Sequence, residues 1–264
     1  PKKIGTLGTR EGMIHVDVPR NLQADPGRKA GDRETMRRKL AQAKAPASWD
    51  LAMRAVDDDG KVVLFTTYVD VMREFTELAI DNHLLAVEVS GSVSTQGKQV
   101  AVALFQGSPI KEKADLAYVR KKWGNHWLLW LDKVPYDEWS AADKARAKSD
   151  PVFGPNRKKW PPHRISVFIG QMVAASEGVT LTASDVLIVN DLDYMPSRHL
   201  QAEDRSWRKS RSASPFKNVY IAYMLSNTPL DTKLWDLLVE KKAEIEDVYG
   251  EIAPNADAAA ARIR

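Results

Sequence analysis

One short string in this sequence combines side chains that suit the binding of a multiply charged anion. Residues 201–208 contain Gln201, Arg205 and Arg208, and on a helix the two arginines would lie three positions apart, with Gln201 one turn earlier on the same side. Each guanidinium offers a planar fork of hydrogen-bond donors, so the spacing suits a planar, multiply charged anion such as a triphosphate. The alternative is a solvated basic helix whose arginines pair with the acidic neighbours at 203 and 204.

A second string, residues 174–181, contains small side chains just after a predicted buried strand. Small residues at the carboxyl end of a parallel strand let the backbone approach a phosphate or a ribose closely. We therefore interpret this string as a candidate nucleotide-contacting loop. The alternative is an ordinary tight turn between a strand and a helix.

Residue types alone exclude or disfavour several other chemistries. The chain has no cysteine, which excludes disulfides, a thiolate nucleophile and a zinc–thiolate site. The five histidines show no metal-ligand spacing, so we interpret them as surface or core residues. The sequence contains no Gly-x-x-x-x-Gly-Lys-Ser/Thr phosphate loop and no nucleophile elbow.

Composition places the chain among globular proteins. It has 264 residues, of which 44% are hydrophobic and 28% charged, which is enough for one large domain or two small ones. The net charge of +4 permits a nucleic-acid partner without requiring one. No apolar run reaches the roughly 18 residues of a membrane helix, and we find no signal peptide. The sequence therefore predicts a soluble intracellular protein, in the cytoplasm or the nucleus.

The elements that must position the two strings alternate between strands and helices. Short apolar runs predict strands near 62–66, 85–89, 165–169, 186–190 and 219–225. Amphipathic stretches lie between them, including a predicted helix over Ser197–Trp207. This alternation predicts an α/β fold, with a parallel sheet and helices on both faces.

The same pattern divides the chain into four parts. Residues 1–56 are predicted to be a lead-in, turn-rich as far as 34 and then forming two bridging helices that Pro46 separates. Residues 57–250 form the α/β lobe. Residues 107–163 are expected to be a largely helical insertion, lying as an appendage outside the core of the lobe. The Ala-rich residues 251–264 predict a flexible tail.

The insertion is unusual in its composition. It contains basic clusters at 120–122 and 157–159, together with five of the eight tryptophans, namely Trp123, Trp127, Trp130, Trp139 and Trp160. Aromatic side chains interleaved with cations can stack on bases and neutralise phosphates. The alternative is that these tryptophans form a small core of the insertion itself.

Taken in order, several blocks resemble the second RecA-like lobe of Swi/Snf-type superfamily-two ATPases, and most of all the annealing-helicase branch. Residues 38–46 resemble the bridging helices, and 61–68 resemble helicase motif IV. Residues 90–106 resemble the Asp-Gly-Ser-Thr segment, and 174–185 resemble motif V. Residues 201–208 resemble motif VI with its two arginine fingers, and 227–231 resemble the Gly-Thr-x-Asp brace. The resemblance covers about 35–106 and 164–250, and motif VI is its most specific block.

This resemblance implies one lobe of a DNA-dependent ATPase or translocase, with ATP and Mg²⁺ bound between this lobe and a first lobe that holds the magnesium. It implies that the catalytic arginine fingers are Arg205 and Arg208. The cofactor-binding residues that it implies are Gln201, Glu177, Gly178 and Asp204. The implied contacts to the DNA backbone, which carry no sequence preference, are Thr66, Ser92, Lys98 and Thr180.

The chain departs from the family pattern at several points. Ala175 and Ser176 stand where the family has Gly-Gly, Ser90 replaces an Asp, and residues 208–211 replace Arg-x-Gly-Gln. The sequence contains no counterpart of the first lobe, so we expect the isolated chain not to hydrolyse ATP at a useful rate. A second hypothesis therefore stays open: a non-catalytic RecA-like binding or scaffold module that uses the Trp-rich insertion for a protein or nucleic-acid partner.

Overall fold

A parallel β-sheet forms the centre of the molecule. The computed structural model describes residues 2–23, 30–58, 60–82, 84–108, 110–150, 165–175, 179–207 and 218–260. The strands in these residues are β1 (Lys2–Ile4), β2 (Met13–Val16), β3 (Val62–Thr66), β4 (Ala86–Val89), β5 (Val167–Gln171), β6 (Val186–Val189) and β7 (Asn218–Ser226). Their order across the sheet is β1-β7-β6-β3-β5-β4. Strand β2 lies on the same edge as β1 and pairs with β7 further along that strand. Every pairing is parallel.

Helices cover both faces of this sheet. They are α1 (Ala30–Asp57), α2 (Val69–Asp81), α3 (Thr95–Gln106), α4 (Lys113–Lys122), α5 (Asn125–Leu131), α6 (Ala141–Ser149), α7 (Met172–Ala175), α8 (Pro196–Ser206) and α9 (Pro229–Ala260). On β3, Val62 and Leu64 pack with α1 and α2, whereas Val63 and Phe65 pack with α3, α8 and α9. A strand buried on both faces reads as a continuous apolar run. The predicted α/β fold class, a parallel sheet with helices on both faces, is confirmed.

The amino-terminal segment is part of the sheet, which corrects its prediction as a lead-in outside the core. Strand β1 pairs with the first residues of β7 and β2 with its last ones. Leu7, between them, is fully buried. Gly5 and Gly12 pack closely, because a Cβ on Gly12 would overlap the carbonyl oxygen of Gly5. An edge strand pairs on one side only and can be very short, so its sequence shows little of the buried-strand pattern.

Helix α1 is continuous through Pro46, whereas the sequence predicted two helices divided there. A proline inside a helix removes one hydrogen bond and crowds the carbonyl of the preceding turn. The apolar stripe of Ala41, Ala45, Trp49 and Ala52 is buried against the sheet along the whole stretch. Tertiary packing of this stripe therefore outweighs the local preference of Pro46.

The insertion is helical, as predicted, but it is not separate from the core of the lobe. Its described part forms α4, α5 and α6. The side chains of Trp127, Trp130 and Trp139 belong to the same buried apolar cluster as Phe65 of β3. Helix α4 meets α3 closely, since a Cβ on Gly97 would overlap the hydroxyl of Tyr118. The expectation of an appendage outside the core is therefore wrong for these three tryptophans; Trp160 lies outside the described residues.

Two further observations concern the helices. Helix α9 continues to Ala260, so the segment predicted to be a flexible tail from 251 has a helical backbone over most of its length. Within the part of the chain that the structure describes, no helix is both long and apolar enough to cross a membrane.

Candidate functional site

Helix α8 carries the string that the sequence singled out, but it ends before the second arginine. The helix runs from Pro196 to Ser206, and Trp207 has an extended backbone with φ −123° and ψ 130°. The helix therefore ends at Ser206, and the expectation that Arg205 and Arg208 share one face stays a prediction. Arg208 itself lies outside the described residues, as do Glu177 and Gly178.

The exposed side of α8 holds the other predicted nucleotide contacts. Gln201 and Arg205 are four positions apart and so lie on the same side of the helix. Gln201 is exposed, and Arg205 is half-buried. The carboxylate of Asp204 accepts from Lys3 Nζ at 2.7 Å and is 63% exposed, so this ion pair contributes about 0–1 kcal/mol at most. Asp204 thus contacts Lys3 of β1.

The buried side of α8 is fixed by Glu203, which the sequence analysis considered only as an ion-pair partner of the arginines on a solvated helix. Its side chain is 1% exposed, and Oε1 accepts from the backbone N–H of Leu7 at 2.7 Å and from the hydroxyl of Tyr223 at 2.8 Å. Burial, and then the carboxylate of Glu203, raise the pKa of Tyr223 well above its ordinary value. The hydroxyl therefore stays protonated and donates. Glu203 thus anchors α8 to β7 and to the amino-terminal segment.

The two predicted nucleotide strings are adjacent in the structure. The backbone N–H of Leu181 donates to the carbonyl oxygen of Arg205 at 2.8 Å. On the other side, Gln106 Nε2 donates to the carbonyl oxygen of Thr180 at 2.5 Å. The chain at 179–181 therefore lies between the end of α3 and the end of α8.

The four residues predicted to contact DNA do not form one cluster. Thr66 is fully buried, and its hydroxyl donates to the carboxylate of Asp191, so it does not reach the surface. Ser92 is exposed just before α3, with its hydroxyl 2.9 Å from that of Ser90. Lys98 lies in the first turn of α3 and Thr180 near the end of the same helix.

A groove follows α3 between those positions. Its volume is about 430 Å³, and its lining includes Thr95, Lys98, Gln106 and Val179. Lys98 and Val179, the neighbour of Thr180, therefore face the same groove. It combines a cation with amide and hydroxyl groups, which are donors suited to phosphate oxygens.

A polar network at the carboxyl end of β6 also went unpredicted. Asp191 accepts from the hydroxyl of Thr66 and from the backbone N–H of Thr67 at 2.9 Å. Asn190 accepts from the hydroxyl of Ser48 at 2.6 Å and donates to the carbonyl oxygen of Ala41 at 3.0 Å. This network joins β3, β6 and α1. The available signal was a polar Asn-Asp pair placed directly after a buried strand.

The described residues offer no ready metal site. Among them, no group of three or more His, Asp or Glu side chains is arranged to hold a metal ion. The residues around Arg205 suit an anion instead, because a half-buried guanidinium and the amide of Gln201 lie on the same side of α8.

Comparison with known proteins shows which proteins this chain is similar to. No protein-family model matches the chain. The chain is 25% identical over 211 residues to the human DNA annealing helicase and endonuclease ZRANB3, a match that covers 80% of this chain. It is 29% identical over 93 residues, 35% of its length, to a SWI/SNF-related regulator of chromatin, the subfamily A-like protein 1 homolog of Caenorhabditis elegans. Its relatives are SWI/SNF-related and annealing-helicase proteins.

The Swi/Snf-type resemblance drawn from the ordered blocks is thereby confirmed. The matches span only 14% and 12% of the lengths of these two relatives. Among solved structures, the crystal structure of the C-terminal part of the Fun30 ATPase domain aligns with a TM-score of 0.48 and 16% identity, covering 74% of this chain and 45% of that one. The chain is related to helicase-like ATPases.

Proposed function

We propose that this chain is the second motor lobe of a DNA-dependent ATPase or translocase. The observation that carries the proposal is the hydrogen bond from Leu181 to Arg205, which joins the motif V-like segment to the motif VI-like helix. In this arrangement a conformational change in the motif V-like segment is transmitted to the motif VI-like helix, and the reverse. Coupling of this kind is what a motor needs between a nucleotide site and a DNA contact.

In the proposed site Arg205 and Arg208 act as arginine fingers on an ATP held between two lobes. Glu203 fixes α8 through Leu7 and Tyr223, so the helix that carries Arg205 is held in place before the nucleotide arrives. A preorganised positive charge acts mainly as charge develops in the transition state. Gln201, one turn earlier, donates to the nucleotide, and Glu177 and Gly178 belong to the loop that approaches it. Magnesium would be held by carboxylates of the first lobe.

The proposed DNA contact follows the groove along α3. Lys98 supplies charge, and Ser92 and Thr180 supply polar groups near the two ends of the same helix. Phosphate contacts position a protein on DNA without reading its sequence. Thr66 has a supporting role here, since its buried hydroxyl holds Asp191 and shapes the end of β3.

DNA-stimulated ATPase activity tests the catalytic proposal. The assay combines this chain with a matching first lobe and compares Arg205→Ala and Arg208→Ala with wild type. Loss of a finger is expected to lower turnover about 10³–10⁵-fold, with a smaller change in ATP affinity. Arg73→Ala, an exposed charge-matched change on α2, serves as the control and should keep wild-type turnover. Wild-type turnover in the double Arg205→Ala, Arg208→Ala variant overturns the motor proposal.

Salt-dependent DNA binding tests the backbone contact. The chain should bind unrelated sequences with similar affinity, and its affinity should fall steeply between about 50 and 200 mM salt. Lys98→Ala should weaken binding for every sequence and reduce the salt slope by about 1. The control is Lys241→Ala, which removes an exposed charge from α9. Equal effects of the two variants would contradict the proposed contact at α3.

The second candidate function is a non-catalytic binding module that uses the insertion. The observation that favours it is a basic pocket between α4 and α6, whose lining includes four cationic side chains. The ATPase measurement separates the two candidates, because a binding module predicts no loss of turnover when the fingers are removed.

A further inference from the structure

A pocket in the insertion gathers basic side chains from two helices. It has a volume of about 330 Å³ and is lined by Arg120, Lys121 and Lys122 of α4 and by Arg146 of α6, with Trp123 and His126 also in its wall. All four cationic side chains are exposed. The pocket belongs to the segment that the family resemblance does not cover.

A glycine turn builds this pocket. Helix α4 ends at Lys122, and Gly124 has φ +104°, a left-handed value that turns the chain directly into α5. A Cβ on Gly124 would lie 2.8 Å from the ring of His126, so only glycine leaves room for that ring. His126 Nε2 in turn lies 3.0 Å from Asp150 Oδ2, just after the end of α6. The turn and this contact hold the ends of α4 and α6 together.

Among the described residues, the positive charge of the pocket is only partly balanced by negative groups. Within the described residues, none of the four cations forms an ion pair with a carboxylate. The carboxylate in the wall, Asp150, is bound by His126 and by Trp127 Nε1 at 3.0 Å. Each of the two helix ends contributes about half a negative charge. Four cations against one carboxylate and two helix ends leave a surplus of about two positive charges.

An aromatic surface lies beside these cations. Lys122 Nζ is 5.1 Å from the centre of the Trp123 ring, and that ring is 5.7 Å from the ring of Trp127. Trp123 is half-buried, while Trp127 belongs to the continuous apolar core. Arg120 is oriented by a hydrogen bond from Nε to Asn125 Oδ1 at 3.2 Å. A rigid indole next to several cations is suited to a phosphate chain whose bases can stack.

We propose that this pocket is a second DNA site, which binds the phosphodiester backbone through Lys121, Lys122 and Arg146 and offers Trp123 to a base. The choice of DNA among phosphate-containing ligands rests on the proposed function. The site contacts DNA independently of the groove at α3, so the insertion enlarges the DNA-contacting surface of the lobe.

The test is DNA binding by the whole chain, measured by fluorescence anisotropy with labelled single-stranded and duplex oligonucleotides of unrelated sequence. The pocket variant is Lys121→Ala with Arg146→Ala. The matched control is Lys113→Ala with Lys148→Ala, which removes two exposed charges from the same two helices outside the pocket lining. The pocket variant should lose about tenfold or more in affinity near 100 mM salt, and its salt slope should fall by about 1.4–1.8. The control should lose much less of both.

Two further measurements separate a loss of charge from a loss of structure, and DNA binding from polyphosphate binding. The charge-conserving variant Lys121→Arg with Arg146→Lys should bind DNA within about twofold of wild type, which separates loss of charge from loss of structure. Inorganic tripolyphosphate, titrated against the DNA complex, reports whether the pocket takes a free polyphosphate instead. If tripolyphosphate binds wild type and not the pocket variant while DNA affinity is equal in both, the assignment to DNA is overturned.

The result also separates this inference from the proposed function. Equal DNA affinity of the pocket variant and its control overturns the second site, whatever Lys98→Ala does. A weakened pocket variant with an unaffected Lys98→Ala variant upholds the second site and contradicts the groove at α3. Absence of DNA binding by the wild-type chain overturns both DNA contacts and leaves the ATPase test of Arg205 independent.

Discussion

Lys44 Nζ lies 2.7 Å from Asp231 Oδ2, and both side chains are buried, so an ion pair joins α1 to the start of α9. Lys44 also donates to the carbonyl oxygen of Met224 at 2.9 Å. Asp231 accepts from the backbone N–H and the hydroxyl of Ser226, each at 2.8 Å. Burial alone would raise the pKa of Asp231, but the charge of Lys44 and these hydrogen bonds outweigh it and lower that pKa. The bridging helix and the brace-like segment 227–231 are therefore one structural unit.

Breaking this pair from one side should be costly. Lys44→Met leaves the carboxylate of Asp231 buried without its cation, and we expect a loss of about 3–5 kcal/mol in the free energy of unfolding, measured in urea. The double variant Lys44→Met, Asp231→Leu should be less damaging than Lys44→Met, because no charge then stays buried alone. Lys39→Met, an exposed change on the same helix, is the control. A similar small loss in both lysine variants would contradict this account.

The pH dependence of stability should contain a contribution from His199. This ring lies on the buried side of α8, and burial lowers its pKa below the ordinary 6.5, with the neighbouring Asp193 opposing the shift. Below about pH 6.5 the unfolded chain takes up a proton that the folded state excludes, so stability falls as pH decreases from there toward the folded pKa. Urea unfolding at several pH values should show this fall, and His199→Gln should reduce it. An unchanged slope in the variant would rule out this contribution.

The sequence predicted those parts of the fold that local patterns encode. The run Val62–Phe65 marks β3 because a strand buried on both faces must be apolar at every position. The helix predicted over Ser197–Trp207 is found at Pro196–Ser206. The end of α8 could not be predicted from the arginine spacing, which assumed a helix as far as Arg208, whereas the helix ends two residues earlier, at Ser206.

Contacts between distant parts of the chain escaped prediction. Leu7 and Glu203 are 196 residues apart, and Thr66 and Asp191 are 125 apart, so no spacing rule brings them together. Thr66 was predicted to contact DNA because it resembles a family position, yet it is fully buried and its hydroxyl donates to Asp191. Pro46 illustrates the opposite case, where packing of α1 against the sheet overrides a correctly recognised local signal.

Tyr223 should matter more than its neighbour on the same strand. Tyr223→Phe removes one donor from the buried carboxylate of Glu203, and we expect a loss of about 1–3 kcal/mol in the free energy of unfolding. Tyr220→Phe also removes a phenolic hydroxyl, but from an exposed side chain of β7, and should change the free energy of unfolding by less than about 0.5 kcal/mol. In the two-lobe ATPase assay, Tyr223→Phe should also lower turnover, because Glu203 holds the helix that carries Arg205. Equal stability of the two variants would remove Glu203 as the anchor of α8.

The amino-terminal strands should contribute to the stability of the whole lobe. Gly12→Ala places a Cβ on the carbonyl oxygen of Gly5, so the backbone between β1 and β2 must rearrange. Backbone cannot yield as a flexible side chain does, and we expect a loss of about 1–3 kcal/mol in urea unfolding. Gly31→Ala is the control, since nothing lies within 4 Å of the added Cβ and alanine favours the helix by about 1 kcal/mol at most. If Gly12→Ala unfolds with the wild-type midpoint, the segment 2–16 is not an integral edge of the sheet. If it unfolds earlier in one cooperative transition, β1 and β2 fold together with the strands that position Arg205.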